Sequence, residues 1–239
     1  MTSHLHALTL DALDPSRLAG FWAGLLGRGL REDADGAVVV LPADATGLPL
    51  RFVATREPKS ARNRLHFDLT SASADGQKET VARALELGGR HADVGQSPDE
   101  QHVVLADPDG NEFCVIEPGN GFLAGCGPVG ALSCDGSRAV GHFWSRALDW
   151  PLVWDENEET AVQHPAGGMK ITWGGPPLMP RSGRDRIRFD LVVAAGGDLE
   201  AEAARLTALG ARRGAAAEDG RTVPLTDPDG NDFTLRAAP

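Results

Sequence analysis

The sequence predicts an α+β protein made of two tandem copies of one domain, because three segments recur in the same order. Trp22 in SRLAGFW returns as Trp144 in SRAVGHFW, and RLHFDL at Arg64 returns as RIRFDL at Arg186, each 122 residues later. LADPDGNEFCV at Leu105 returns 120 residues later as LTDPDGNDFTL. Between the copies, the Gly- and Pro-rich segment PGNGFLAGCGP is typical of a linker. We therefore predict domains over 1–118 and 127–239, with a linker over 119–126.

Each half is expected to contain two units, each a strand, a helix and three further strands. The first unit begins with a strand at His6 to Leu10, and Asp14-Pro15 starts a helix with an apolar stripe through Trp22. Ser137 is the candidate cap of the matching helix in the second half. The remaining predicted elements are strands at 37–41, 50–54, 64–70, 102–106 and 112–117, and a helix over 77–87. With helices on one side of each mostly antiparallel sheet, the other face is left free to curl around a ligand.

Composition excludes several kinds of partner. A formal net charge of -11 disfavours nucleic acid, whose phosphates are bound through Lys and Arg. No apolar run approaches the roughly 20 residues that span a bilayer, and the first ten residues show no secretory pattern. Three cysteines without metal-type spacing favour a reducing compartment over a disulfide framework. We therefore expect a cytoplasmic protein with no membrane or nucleic-acid partner.

The first-helix segments, LHFDL and IRFDL, and the two DPDGN turns together resemble the vicinal oxygen chelate superfamily (glyoxalase, bleomycin-resistance protein and extradiol dioxygenase) over essentially the whole chain. The resemblance implies two tandem glyoxalase-like domains, each with paired βαβββ units that form a cup-shaped sheet. It also implies a small-molecule ligand. Many members bind one divalent metal in the cup and act as lyases or dioxygenases, whereas others bind drugs without metal. The two halves resemble the paired subunits of single-domain members, so a monomer and a homodimer are both open.

The metal positions that the resemblance implies are incompletely filled in this sequence. In the first half His66 matches the superfamily histidine, the first-strand position falls near His6, and Cys114 stands where a glutamate is expected, with Glu112 two residues earlier. The fourth strand offers Arg51. The second half has Arg188 and Thr234 at the matching positions, and a guanidinium has no free lone pair for a metal.

Two functions follow as the main hypotheses, and a third, a protein-interaction role for fused inactive domains, stays open. The preferred one is a protein that binds a small organic molecule in a cup without the usual metal. His66 and Glu112 are then candidate catalytic or polar groups, and the candidate ligand-binding residues are His6, Arg51, Cys114, Trp173, Arg188 and Thr234. The alternative is a lyase or dioxygenase whose divalent ion (Fe, Mn, Ni or Zn) is held in the first domain by His6, His66 and Glu112, or with Cys114 in place of Glu112.

Less specific roles stay open for three of these residues. Trp173 either stacks on a ligand or packs in the core. Arg188 either holds an anion or pairs with Asp190 or with an acid on a neighbouring strand. Cys114 is either a ligand or nucleophile, or a small buried residue.

Overall fold

The structure, a computed structural model, describes residues 3–215, 217 and 219–238 and contains four βαβββ units in sequence. The first unit comprises β1 (Ser3–Ala12), α1 (Pro15–Leu26), β2 (Leu30–Glu32), β3 (Val38–Val40) and β4 (Leu50–Ala54). The second unit comprises β5 (Leu65–Leu69), α2 (Ala74–Glu86), β6 (Arg90–His91), β7 (Val103–Ala106) and β8 (Glu112–Val115). The predicted order of elements in the first half is therefore confirmed. The short strands β2 and β6 were not among the predicted elements.

The second half repeats this order. The third unit comprises β9 (Val129–Cys134), α3 (Arg138–Leu148), β10 (Leu152–Glu156), β11 (Glu159–Gln163) and β12 (Lys170–Trp173). The fourth unit comprises β13 (Ile187–Val193), α4 (Leu199–Leu209), β14 (Arg212–Arg213), β15 (Thr222–Thr226) and β16 (Asp232–Arg236). None of the four helices is long and apolar enough to cross a membrane, as far as the described residues extend.

The starts of α1 and α3 differ, although their sequences are alike. The Asp14 carboxylate accepts a hydrogen bond from the Arg17 amide at 3.0 Å, so it caps α1 as expected. Ser137 occupies the cap position of α3, but its side chain makes no capping hydrogen bond. Instead the Ser137 amide donates to the Asp229 carboxylate at 2.6 Å, which ties the start of α3 to the second DPDGN turn.

Two mixed eight-stranded sheets form, and each combines one unit from each half of the chain. Sheet A has the order β14-β15-β16-β13-β1-β4-β3-β2, and sheet B has the order β10-β11-β12-β9-β5-β8-β7-β6. The halves are joined at the sheet centres, where β1 pairs antiparallel with β13 and β5 pairs antiparallel with β9. The expectation that the two units of one half share a cup is therefore corrected. Because the four units have the same pattern, the sequence does not distinguish pairing within a half from pairing across halves.

The two units of one half are held together by packing between the sheets. The Trp22 ring packs edge-on against Phe67 and Phe113, with ring centroids 5.1 Å from each. Its indole Nε1 donates to the Asp107 carboxylate at 3.2 Å. The second half repeats this contact, because Trp144 Nε1 donates to Asp227 at 3.2 Å. The repeated DPDGN turn thus anchors the first helix of each half, in addition to its local backbone bonds.

Each sheet has one face in the core and one face away from it. On β13, for example, Phe189 and Leu191 join the buried hydrophobic cluster, and the side chains between them lie on the opposite face. We name the non-core face of sheet A cup A, defined by Thr9, Arg51, Arg188, Thr234 and Arg236. We name that of sheet B cup B, defined by His66, Asp68, Cys114, Ser133 and Thr172.

Candidate functional site

Cup A contains a cavity of about 560 Å³. Thr9 on β1, Arg51 and Val53 on β4, Arg188 on β13 and Thr234 on β16 contribute to its wall. These four strands are adjacent in sheet A, so alternate residues along each strand project to the same face. The volume lies within the range of roughly 300–1,000 Å³ typical of small-molecule sites.

Arg188 is fixed in the floor of this cavity. Its guanidinium forms a two-pronged pair with the Asp11 carboxylate on β1, at 2.8 and 2.7 Å, and also donates to the Asp185 carbonyl at 2.5 Å. Both charged side chains are largely buried. Of the roles left open for Arg188, pairing with an acid on a neighbouring strand is the one that the structure contains. Since Asp11 holds both prongs, Arg188 shapes the cavity and has little capacity left to grip a ligand anion.

A second buried carboxylate, Asp190, lies two residues further along β13. Its side chain is 2 % exposed and pairs with Arg236 Nε at 2.8 Å. Burial raises the pKa of Asp190, while the charges of Arg236, Arg51 and His6 act to lower it. Between Leu5 and Ala7 the pairing of β1 with β13 is irregular, in the manner of a β-bulge. Burial lowers the pKa of His6 below its usual value, although Asp190 acts to raise it. His6 therefore belongs to sheet A, near Asp190.

Cup B has different chemistry. One nitrogen of His66, one oxygen of Asp68 and the sulfur of Cys114 all lie within 4.8 Å of one another. His66 Nε2 is 3.5 Å from Asp68 Oδ1, and Ser133 Oγ donates to Asp68 Oδ2 at 2.5 Å. Thr172 Oγ1 extends this chain by donating to Ser133 Oγ at 3.3 Å. Asp68 is thus the central acceptor of a polar cluster made of side chains from both halves.

The Cys114 thiol is held in its protonated form. Burial, and then the charge and hydrogen bonding of Asp68, raise the pKa of this thiol well above its usual value. A thiol needs to become a thiolate to act as a nucleophile or metal ligand. Without a bound cation, Cys114 therefore behaves as a buried apolar group beside Asp68.

The donor sets of the two cups differ in how well they fit the divalent metal that the superfamily implies. Cup B offers imidazole, carboxylate and sulfur donors, which is a three-ligand set suited to zinc or a similar ion with one position open. Cup A carries Arg188 and Thr234 at the corresponding strand positions, and a guanidinium cannot ligate a metal. The residues present therefore fit such an ion in cup B and not in cup A.

The metal set predicted from the sequence does not converge. His6 lies on β1 in sheet A, whereas His66 and Glu112 lie in sheet B, because each sheet draws its units from different halves. Glu112 also lies outside the His66 cluster, since its carboxylate pairs with Lys59 at 2.6 Å and accepts from the Asn63 amide at 3.3 Å. The alternative of a site made of His6, His66 and Glu112 is therefore wrong.

Of the two roles left open for Trp173, the structure shows packing in the core and not stacking on a ligand. It is 1 % exposed and belongs to the buried hydrophobic cluster. It follows Thr172 on β12, so it projects to the core face while Thr172 lies in cup B. The other predicted residues divide between the cups: Arg51, Arg188 and Thr234 line cup A, and Cys114 lies in cup B with His66.

Asp68 and Ser133 were not among the site residues predicted from the sequence, and Asp190 was expected only as a salt-bridge partner of Arg188. Asp68 and Asp190 stand two residues after His66 and Arg188, so the two-residue period of a strand was sufficient to place them on the same faces. Ser133 had no such signal, because its position opposite His66 depends on pairing between the halves.

Comparison with known proteins agrees with this architecture. The family model described as "Glyoxalase-like domain" matches residues 7–116 and again residues 130–236. Glyoxalase I from Zea mays superposes with a TM-score of 0.63 at 13% sequence identity, covering 99% of this chain and 92% of the maize chain. A putative dioxygenase from Bacillus subtilis superposes with a TM-score of 0.64 at 13% identity, covering 100% of this chain and 86% of its own. No curated protein matches the sequence.

At these identities the solved structures establish the shared fold alone. The family model covers nearly all of both halves, and the fold has the four βαβββ units of a tandem arrangement. The chain therefore belongs to the glyoxalase-like domain family of the vicinal oxygen chelate superfamily, with two copies of the domain in tandem.

Proposed function

We propose that this protein binds a small organic molecule in cup A without a metal ion. The observation that carries the proposal is the cavity of about 560 Å³, whose wall combines apolar Val53 and Pro224 with the polar side chains of Thr9, Arg51 and Thr234. An apolar wall with a few convergent polar groups is the usual composition of a ligand site. Arg188 stands where a metal-binding cup needs a ligand, which favours binding through hydrogen bonds and charge.

The proposal is tested by NMR titration of untagged protein dialysed against EDTA. The probes are benzoate, phenylphosphonate and benzamide, which share a ring and differ in the polar group. Binding in cup A predicts amide shifts centred on Thr9, Val53 and Thr234. Thr234→Trp, which fills the cavity, is expected to abolish them. Thr172→Trp is the matched control, because it places the same bulk in cup B.

Two results would count against binding in cup A. One is the absence of shifts with all three probes. The other is binding that persists unchanged in Thr234→Trp. Circular dichroism of both variants separates loss of binding from loss of fold.

A second candidate function, a metal-dependent lyase or dioxygenase, is favoured by the cluster of His66, Asp68 and Cys114 in cup B. These residues would hold a divalent ion such as zinc, which when bound supplies Lewis-acid polarisation of a substrate oxygen. Ser133 would fix the orientation of the Asp68 carboxylate through their 2.5 Å hydrogen bond.

Elemental analysis tests this candidate, using untagged protein offered iron, manganese, nickel, cobalt and zinc in turn. About one ion per chain is expected, with loss of the ion in His66→Ala. His142→Ala is the control, since His142 also pairs with an aspartate, Asp155, at 3.2 Å but lies outside the cluster. Metal content at background level, or equal content in both variants, would eliminate the cup B site.

We infer that the working unit is complete in one chain and that the protein acts in the cytoplasm. Each sheet contains strands from both halves of a single chain, which supports a monomer with pseudo-dimeric halves. Light scattering distinguishes this from a homodimer. All three cysteines are free, which favours a reducing compartment.

A further inference from the structure

The charge in cup A is unusual for a chain with a formal net charge of -11. Five arginines contribute to the cavity wall, against one aspartate, Asp232. Three of these arginines are neutralised by carboxylates that project from the strands of the sheet. Arg188 pairs with Asp11, Arg236 pairs with Asp190, and Arg181 pairs with Asp232.

Arg51 is neutralised in a different way. Its side chain is 7% exposed, on the interior strand β4, yet both of its carboxylate partners belong to the segment that connects β2 to β3. Asp33 lies 3.5 Å from Arg51 Nε, and Asp35 contacts Arg51 Nη2 directly. The Asp35 side chain is 56% exposed, so a buried arginine is covered by an acid from an exposed turn.

Asp35 is influenced by more than one arginine. Partial burial acts to raise its pKa, but the Ala37 amide, Arg51 and Arg236 together bring that pKa below its usual value. The Asp35 carboxylate is thus stabilised as an anion in the combined field of Arg51 and Arg236. The position of the Asp35 carboxylate therefore marks a part of cup A that favours negative charge.

An unpaired hydroxyl lies next to this position. Thr9 is 6% exposed, and its Oγ1 has no hydrogen-bond partner within the described part of the chain. In the sheet, Thr9 is directly opposite Arg51 on one side and Arg188 on the other. Buried hydroxyls without a partner are uncommon, and one that lines a cavity is available to a bound polar group.

We propose that Arg51, Arg236 and Thr9 form an anion subsite in cup A, which takes the carboxylate or phosphonate group of a small organic ligand and is covered by Asp35 in the free protein. This inference rests on the proposed function of cup A and adds the class of ligand and a competing internal group. The ligand anion displaces Asp35 from Arg51, and the turn between β2 and β3 moves aside. No bond is made or broken in this exchange.

The test compares dissociation constants for benzoate, phenylphosphonate and benzamide in the wild type, Asp35→Asn and Arg51→Gln. Asn keeps the acceptor for the Ala37 amide, which Asp35 binds at 3.3 Å, and removes the competing charge. Because a partly exposed ion pair is weak, Asp35→Asn is expected to bind both anions roughly two- to five-fold more tightly and benzamide unchanged. Arg51→Gln is expected to bind the anions at least about ten-fold more weakly.

Asp155→Asn is the matched control for net charge. Asp155, on β10 of sheet B, pairs with Arg138 of α3 at 2.6 Å, so its replacement removes one charge and one arginine pair outside cup A. It is expected to leave all three constants unchanged. The ratio of benzoate to phenylphosphonate affinity distinguishes a carboxylate ligand from a phosphorus oxyanion.

The outcomes separate this inference from the proposed function. If benzamide and the anions bind cup A equally well and Asp35→Asn changes neither, the cup binds small molecules but the anion subsite is refuted. If no probe binds the wild type or Asp35→Asn, both proposals fail. Should Arg51→Gln not fold, the Asp35→Asn and Asp155→Asn pair still decides the question, since neither substitution removes a buried side chain.

Discussion

The buried carboxyl of Asp107 is expected to make stability depend on pH. Asp107 is fully buried and joins two units of the first half through Trp22. Burial raises its pKa from 3.8 to about 6, although hydrogen bonds from Asn111 and Trp22 act to lower it. A raised pKa means that the folded state binds the proton more tightly than the unfolded state. The stability that this proton contributes is therefore complete below about pH 4 and is lost as the pH rises through about 6.

The size of the effect follows from the shift. About two pKa units correspond to about 3 kcal/mol, of which about 2 kcal/mol is lost between pH 4.5 and 7.5. Other acids titrate over the same range, so the measured quantity is the difference between the wild type and Asp107→Asn, which carries no proton to release. Urea denaturation followed by tryptophan fluorescence at four pH values gives this difference. It should fall with rising pH by about 2 kcal/mol.

The control for this experiment is Asp75→Asn. Asp75 is 86% exposed in its side chain, and its difference from the wild type should not vary with pH by the same amount. A difference for Asp107→Asn that stays flat, or that grows with pH, would refute the reasoning. It would mean that the four hydrogen bonds to Asp107 outweigh its burial and hold it as a carboxylate throughout.

Two further predictions concern packing and thiol reactivity. A Cβ at Gly141 would lie 1.9 Å from Thr160 Oγ1, so Gly141→Ala should lower the free energy of unfolding by about 1–3 kcal/mol, measured by urea denaturation. Gly20→Ala, in the matching helix α1 with nothing within 4 Å, should instead raise it by up to about 1 kcal/mol; equal effects would refute the steric argument. Cys126 is partly exposed, whereas Cys114 and Cys134 are buried. A thiol reagent at pH 8 should therefore label Cys126 first and the other two only on unfolding. Mass spectrometry of the labelled peptides tests this order, and labelling of all three thiols at equal rates in the folded protein would contradict it.

The repeat allowed the core to be predicted far better than the cups, and the reason is the two-residue period of a strand. Core-face positions recur between the halves, as Phe67 does at Phe189 and Phe113 at Phe233. Because both copies must bury the same kind of face, the internal repeat reveals the fold directly. Among the cup-face positions, Asp68 recurs at Asp190, but the residues beside it do not recur.

At those cup-face positions His66 corresponds to Arg188, and Cys114 corresponds to Thr234. The repeat therefore shows that both cups carry a carboxylate, at Asp68 and Asp190, and gives no information on the different side chains beside it. The face of the sheet on which Trp173 lies was likewise not predictable, because it depends on strand register. The partners of Arg188 and Asp68 lie on strands of the opposite half, which the sequence did not assign to their sheets.

Pairing across the halves also changes how a metal-ligand set must be judged. Cup A takes its first-strand position from the first half, where His6 lies, and its fifth-strand position from the second half, where Arg188 lies. Cup B takes Ser133 from the second half and His66 from the first. His6 and His66, at the first-strand and fifth-strand positions of the first half, therefore lie in different sheets and do not contribute to one site.

The two cups therefore differ in chemistry. In sheet A, His6 lies near Asp190, and the cavity of cup A is lined by arginines, which is the basis for proposing an anionic ligand there. In cup B the imidazole lies beside Asp68 and Cys114, the donor set that suits a soft divalent ion. Judged one half at a time, the first half holds His6, His66 and Cys114 at the expected metal-ligand positions, whereas the second half holds Arg188 and Thr234 at the matching ones. Assembly across the halves instead places His6 in sheet A and His66 in sheet B, each with a distinct set of partners, so the functions of cup A and cup B require separate assays.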